Sequence, residues 1–133
     1  MKPKFQTVGD IRKGNEHFAH DHESAFEVAS ELLHSHFSGM PVVDQCDRVI
    51  GVVSEVDILR ALRDSRPLEE IKVKEIMTKS PVVIEDRTTL EDASKIMEDA
   101  HIHRLPVVED GVLVGTINRH DLIRAWMGMS ADL

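Results

Sequence analysis

Apolar and polar positions alternate with two different periods along this chain, and the periods change in the same order twice. From residue 88, "TTLEDASKIMEDA" places Leu90, Ala93, Met97 and Ala100 at steps of three and four, the spacing of one helix face. Before it, "SPVVIE" is a short apolar run that predicts a strand. After it, "RLPVVEDGVLVGTIN" holds two apolar runs around Asp110-Gly111, a pair that favours a tight hairpin because both residues tolerate positive φ. "RHDLIRAWM" then returns to helical spacing. The order is strand, helix, strand, strand, helix. Thr88 with Glu91, and Ser24 with Glu27, predict capping boxes at the starts of matching helices.

The earlier half repeats this order. "SAFEVASELL" (from Ser24) answers "TTLEDASKIM" (from Thr88), and "VGDIRK" (from Val8) answers "VKEIMT" (from Val73). "MPVVD" (Met40 to Asp44) answers "LPVVE" (Leu105 to Glu109), and "GVVSEVDILRA" (Gly51 to Ala61) answers "GTINRHDLIRA" (Gly115 to Ala125). One-residue indels separate the copies. A repeat of this size predicts two supersecondary units that share a core. Apolar runs such as "PVV" and "VLVGTI" predict strands covered by helices on at least one face. The polar segment "RDSRPLEEIK" (Arg63 to Lys72), with Pro67, reads as the link. The expected division is residues 1–64, a linker at 65–72, and residues 73–133.

Composition narrows the function classes. The 133 residues are 41% apolar and 30% charged, as in ordinary globular proteins. With one Trp, four Phe and no Tyr, the core must be built from Val, Ile, Leu, Met and Ala. Sixteen basic residues against 24 acidic ones give a formal charge of -8. That argues against duplex nucleic acid or an anionic membrane as main partner, since both demand clustered cations. A small anion held by a few convergent cations stays open. No apolar run approaches a membrane span, and the N-terminus "MKPKFQTVGD" has no apolar signal core. A lone Cys46 fits a reducing cytosol, so a cytoplasmic location is expected.

The repeated Ser/Asn-x-x-Asp is the candidate chemistry. In "GVVSEVD" a strand runs into a helix whose first N–H groups and positive dipole end suit an anion. Ser54 can help hold a phosphate there, and Asp57 can accept from a ribose diol. The same residues also read simply as an N-cap with an acidic first turn, and Asn118-x-x-Asp121 fits that reading equally. Eight His residues raise a metal reading, but His17, His20, His22, His34, His36, His101 and His103 fall on different predicted elements. Cys46 sits between acids that blunt a thiolate, and no nucleophile elbow or phosphate-binding Gly loop is present, so enzyme activity is not expected.

The doubled P-V-V-D/E … G-h-h-S/T-x-x-D pattern resembles a tandem pair of CBS (cystathionine β-synthase) domains over roughly residues 5 to 127. The resemblance implies an α/β (α+β) fold of two β-α-β-β-α repeats packed with pseudo-twofold symmetry. It implies a non-enzymatic regulatory module that needs no cofactor and binds an adenine nucleotide (AMP, ADP or ATP) or S-adenosylmethionine in clefts between the repeats. Carried onto this chain, Asp57 and Asp121 face a ribose, while Ser54 and Asn118 lie near a phosphate. Arg104, after His103, contacts a phosphate, and Thr78, Ser80, Pro81 and Val82 border the adenine. Arg119 reads either as a further phosphate contact or as a plain surface cation. Asn118 departs from the family's Ser/Thr, Gly39 stands where copy two has Arg104, and "KGNEHFA" (Lys13 to Ala19) lacks the proline of the matching segment, so the two pockets are expected to differ. The stripes Ile58, Leu59, Leu62 and Leu122, Ile123, Trp126 imply a homodimer through the last helix of each repeat. A separate effector protein is the expected listener. The alternative is a ligand-free module for dimerisation or partner docking.

Overall fold

The computed structural model describes residues 7–12, 14 and 17–128. These fall into two compact units, a first within residues 16–81 and a second drawn from residues 1–15 and 82–133. Residues 1–6 and 129–133 of the expected domains lie outside the described residues, as do Lys13, Asn15 and Glu16 of the "KGNEHFA" segment.

In the first unit the chain forms β1 (Ala19–His20), α1 (Ala25–Ser35), β2 (Gly39–Val43), β3 (Val49–Ser54), α2 (Glu55–Arg63) and β4 (Thr78–Lys79). The sheet order is β1-β2-β3-β4, with β1 parallel to β2 and the other pairs antiparallel. Ala25, Val28 and Leu32 of α1 pack with Met40, Val42 and Val53 of the strands and Ile58 and Ala61 of α2. Among the described residues the second unit repeats this order without a counterpart of β4, as β5 (Ile84–Glu85), α3 (Leu90–Ala100), β6 (Arg104–Glu109), β7 (Val112–Asn118) and α4 (Arg119–Trp126). Here β5 is parallel to β6, and β6 is antiparallel to β7. The expected helix face is the observed one, with Leu90, Ala93 and Met97 buried.

Two sequence details change. The N-cap of α3 is Thr89 rather than Thr88, because the Asp92 N–H donates to Thr89 Oγ1 at 3.1 Å. In α1 the Glu27 N–H donates to Ser24 Oγ at 3.1 Å, as expected. Ser24 therefore matches Thr89, and His36 matches His101, both in left-handed conformation at the C-caps (φ 61° and 55°). The length difference between copies falls in the hairpins. Copy two uses the two-residue turn Asp110-Gly111, with φ 53° and 84°. Copy one holds a longer loop in which Asp44 Oδ1 accepts from the Cys46 and Arg48 N–H groups at 2.8 and 3.0 Å.

The opening turn of each repeat packs in the unit of the other repeat. Val8–Asp10 is a single helical turn in the second unit, where the Val8 N–H donates to Thr88 O and the Gly9 N–H to Asp86 O. Arg12 reinforces it through Asp86 at 2.6 Å and the Val114 carbonyl at 2.7 Å, and Val8 and Ile11 join that core. Val73–Glu75 is the matching turn in the first unit, where the Val73 N–H donates to Glu23 O and the Ala25 N–H to Ile71 O. The segment read as a link carries Leu68 and Ile71 into the first core. Of the two apolar stripes, Ile58 and Leu122 are buried and Trp126 is half-buried, whereas Leu59, Leu62 and Ile123 face outward.

Candidate functional site

Strands β3 and β7 each deliver the chain directly into a helix, so Ser54 and Asn118 are at once the last strand residue and the helix N-cap. The corner is built the same way in both units. The Ser54 N–H donates to Asp57 Oδ2 at 2.8 Å, and the Asp57 N–H returns to Ser54 Oγ at 3.3 Å. The Asn118 N–H donates to Asp121 Oδ2 at 2.9 Å, and the Asp121 N–H returns to Asn118 Oδ1 at 2.9 Å. These are reciprocal capping boxes, which satisfy N–H groups that a helix start otherwise leaves unpaired. The capping reading of the repeated motif is therefore realised twice.

Both aspartates are deeply buried, at 4% and 2% exposure. Each has a guanidinium on its other oxygen. Arg60 Nη1 lies 3.4 Å from Asp57 Oδ1, and Arg124 Nη1 lies 3.6 Å from Asp121 Oδ1. The backbone at each corner is also partly used, since the Arg119 N–H donates to His103 O at 3.0 Å and the Glu55 N–H to Ser38 O at 2.9 Å. An anion here must therefore rely on side-chain cations more than on the helix terminus.

The second unit supplies those cations. His103, Arg104, Asn118, Arg119, His120, Ile123 and Arg124 line one open cavity of about 500 Å³. That volume lies within the usual range for small-molecule sites, roughly 300–1,000 Å³. Four of the expected residues, His103, Arg104, Asn118 and Arg119, are thus brought together, with Asp121 boxed to Asn118 behind them. Burial lowers the Arg104 guanidinium from its ordinary value, and the Asp121 carboxylate opposes that shift. Arg104 is a partly desolvated cation held beside a buried acid. His120 and Arg124 were not singled out from the sequence. Arg124 was nevertheless visible as the arginine that recurs three residues after each repeated Asp.

The remaining candidates lie elsewhere. Ser54 and Asp57 are in the first unit, and Thr78 stands on β4 opposite Val52, near the end of β3. Ser80 follows with φ 55°, and Pro81 ends that unit. Val82 is the first residue of the returning second unit and is exposed. A further cavity of about 570 Å³ in the second unit lies between α3 and α4 against Met97, Leu122 and Trp126. Among the described residues, no three His, Cys, Asp or Glu side chains are grouped as a metal would need. Among them, too, no helix is long and apolar enough to cross a membrane.

Residues 8–64 and 73–128 each match the CBS domain family. The chain belongs to that family. The CBS domain-containing protein CBSX2, chloroplastic, of Arabidopsis thaliana is 30% identical over 149 residues, covering 90% of this chain and 63% of the relative. This CBS pair spans about three fifths of the length of the curated relatives it matches. The crystal structure of CBSX2 in complex with AMP superposes at a TM-score of 0.78 and 32% identity, over 93% of this chain and 98% of that one. The CBS domain protein PAE2072 of Pyrobaculum aerophilum, complexed with AMP, gives 0.74 at 25% identity, over 86% and 88%. The CBS domain pair of MJ0100, in complex with 5′-methylthioadenosine and S-adenosyl-L-methionine, gives 0.74 at 26% identity, over 92% and 96%. The mixed fold of two sheets and four α-helices among the described residues is the one the family predicts.

Proposed function

We propose that this CBS pair is a non-enzymatic regulatory module that binds an adenine nucleotide or adenosyl ligand and signals through a change in conformation or stability. The observation that carries the reading is the cavity at the α4 corner, where Arg104, Arg119 and Arg124 gather beside Asn118 and Asp121. Guanidiniums bind phosphate bidentately and are the side chains most suited to it. Asp121 and Asp57 face the ribose. A carboxylate has about four lone-pair sites, so an Oδ2 engaged in a capping box does not exhaust it. Thr78, Ser80, Pro81 and Val82 border the base. AMP in CBSX2 and PAE2072, and the adenosyl ligands in MJ0100, support this ligand class. By linkage, the ligand drives a change only through different affinities for two states.

Exposed apolar positions on α2 (Val56, Leu59, Leu62) and on α4 (Ile123), followed by Met127, favour a homodimer through these helices, and a separate effector protein as listener. The same positions are what a ligand-free docking module would show, which is the second reading. We place the protein in the cytoplasm, where its exposed Cys46 stays reduced.

A thermal-shift panel on nucleotide-stripped protein separates the readings. AMP, ADP, ATP, S-adenosylmethionine and cyclic dinucleotides are compared with Asp57→Asn and Asp121→Asn variants alongside. A ligand at about 100 times its dissociation constant adds roughly 2.7 kcal/mol. The sensor reading expects one class to raise the melting temperature and one variant to lose the rise. A folded protein that responds to none of them is a docking module.

A further inference from the structure

The outward face of α2 is symmetric in its apolar positions and antisymmetric in its charges. Its sequence is "EVDILRALR", from Glu55 to Arg63, and Leu59 is the midpoint. Val56 and Leu62 stand three residues to either side of Leu59, and Glu55 and Arg63 stand four to either side. A helix turns about 100° per residue, so all five fall within an arc of roughly 120° centred on Leu59. Ile58 and Ala61 point away from that arc into the core, whereas Val56, Leu59 and Leu62 are each more than half exposed. Neither Glu55 nor Arg63 has an ion-pair partner among the described residues. Helix α4 lacks this pattern. Arg119 and Met127 stand at the matching positions, with His120 and Trp126 inside them, so its two ends do not carry opposite charge. Helix α1 adds exposed Phe26 and Leu33 where α3 has Glu91 and Glu98. Glu98 and Ile123 line one cavity of the second unit, so the matching Leu33 and Leu59 belong to one face of the first.

We infer that a second copy of this chain packs on this face, with the two α2 helices antiparallel about a twofold axis at Leu59. This rests on the homodimer reading above and names the contact and its symmetry. In a twofold contact one patch serves both copies, so each pairing of unlike residues occurs twice. Antiparallel α2 helices set Leu59 on its own copy, Val56 on the partner's Leu62, and Glu55 on the partner's Arg63. A face with the same charge at both ends would repel itself in this arrangement. Here the ends attract, and each helix N-terminus lies by the C-terminus of the other, which the helix dipoles favour. A helix of nine residues is a small contact by itself, and Phe26 and Leu33 of α1 enlarge its apolar area.

Sedimentation analysis of the full chain tests this, with Glu55→Arg and Arg63→Glu prepared separately. Both positions are exposed, and circular dichroism checks the fold. Wild type is expected to sediment as a dimer. Each variant brings like charges together at both ends of the contact and is expected to dimerise more weakly by about tenfold or more. An equimolar mixture of the two variants is expected to recover the wild-type dimer, since each end then joins an Arg to a Glu. Leu59→Cys in a Cys46→Ser background is expected to give a disulfide-linked dimer on oxidation, and Val56→Cys is not, because only a residue on the axis meets its own copy. A dimer whose mass ignores both charge reversals overturns the inference and leaves the homodimer reading standing. So does a mixture that stays monomeric, or linking through Val56→Cys in place of Leu59→Cys. A monomeric wild type overturns both.

Discussion

Asp57 and Asp121 carry two duties at one position. Each closes a capping box with the residue three before it and faces an arginine three residues after it. Removing Asp57 strips the Ser54 N–H of its acceptor, so Asp57→Ala is expected to cost about 1–2 kcal/mol of stability. Urea denaturation checks this as a lower midpoint with an unchanged slope. Arg104→Gln probes the cavity beside Asp121. It removes the bidentate donor from the cavity and is expected to weaken phosphorylated ligands by about tenfold or more, read by titration. At this scale the sequence was informative about identity and less so about company. Ser54, Asp57, Asn118 and Asp121 stood out because they recur. His120 did not, because Val56 stands at its place in copy one, and only the folded chain puts it in one cavity with Arg104 and Arg119.

Among elements, the helices were legible because their apolar faces have one period and their ends carry caps. The one-residue error at Thr88 arose because Thr88 and Thr89 are chemically equivalent caps, and only the donor geometry at Asp92 chooses between them. The Asp110-Gly111 hairpin was legible for a steric reason, since both residues sit at positive φ. Gly111→Ala is expected to cost about 1 kcal/mol or more, measured by thermal denaturation. The crossed opening turns were not legible. "VGDIRK" and "VKEIMT" show that the turns correspond, but nothing in their local pattern says which core each enters. That choice is made by long-range contacts such as Arg12 with Asp86 and Val73 with Glu23. Val8 is fully buried in the second unit although it precedes the first repeat's sheet. Val8→Ala is therefore expected to destabilise the second unit by about 1–3 kcal/mol, seen as faster amide exchange in α3 and β6 than in α1 and β2.

For the whole molecule, a chain with a formal charge of -8 gathers Arg104, Arg119 and Arg124 at one corner of its second unit, where the matching corner of its first unit carries Gly39, Glu55 and Arg60. The two repeats share one strand-to-helix corner and differ in the side chains that line it. The exposed apolar positions of α2 and α4 belong to this scale too. Leu59→Glu with Ile123→Glu is expected to convert a dimer to a monomer by light scattering while leaving the helical signal intact; an unchanged mass would remove these helices as the interface. The nucleotide claim is tested most directly by a backbone amide NMR titration of the nucleotide-free chain with AMP. Saturable shifts concentrated at His103–Arg104 and Asn118–Asp121 of the second unit are expected. Saturable shifts confined to other surfaces, or none at millimolar AMP in a folded sample, would rule out nucleotide binding at this corner.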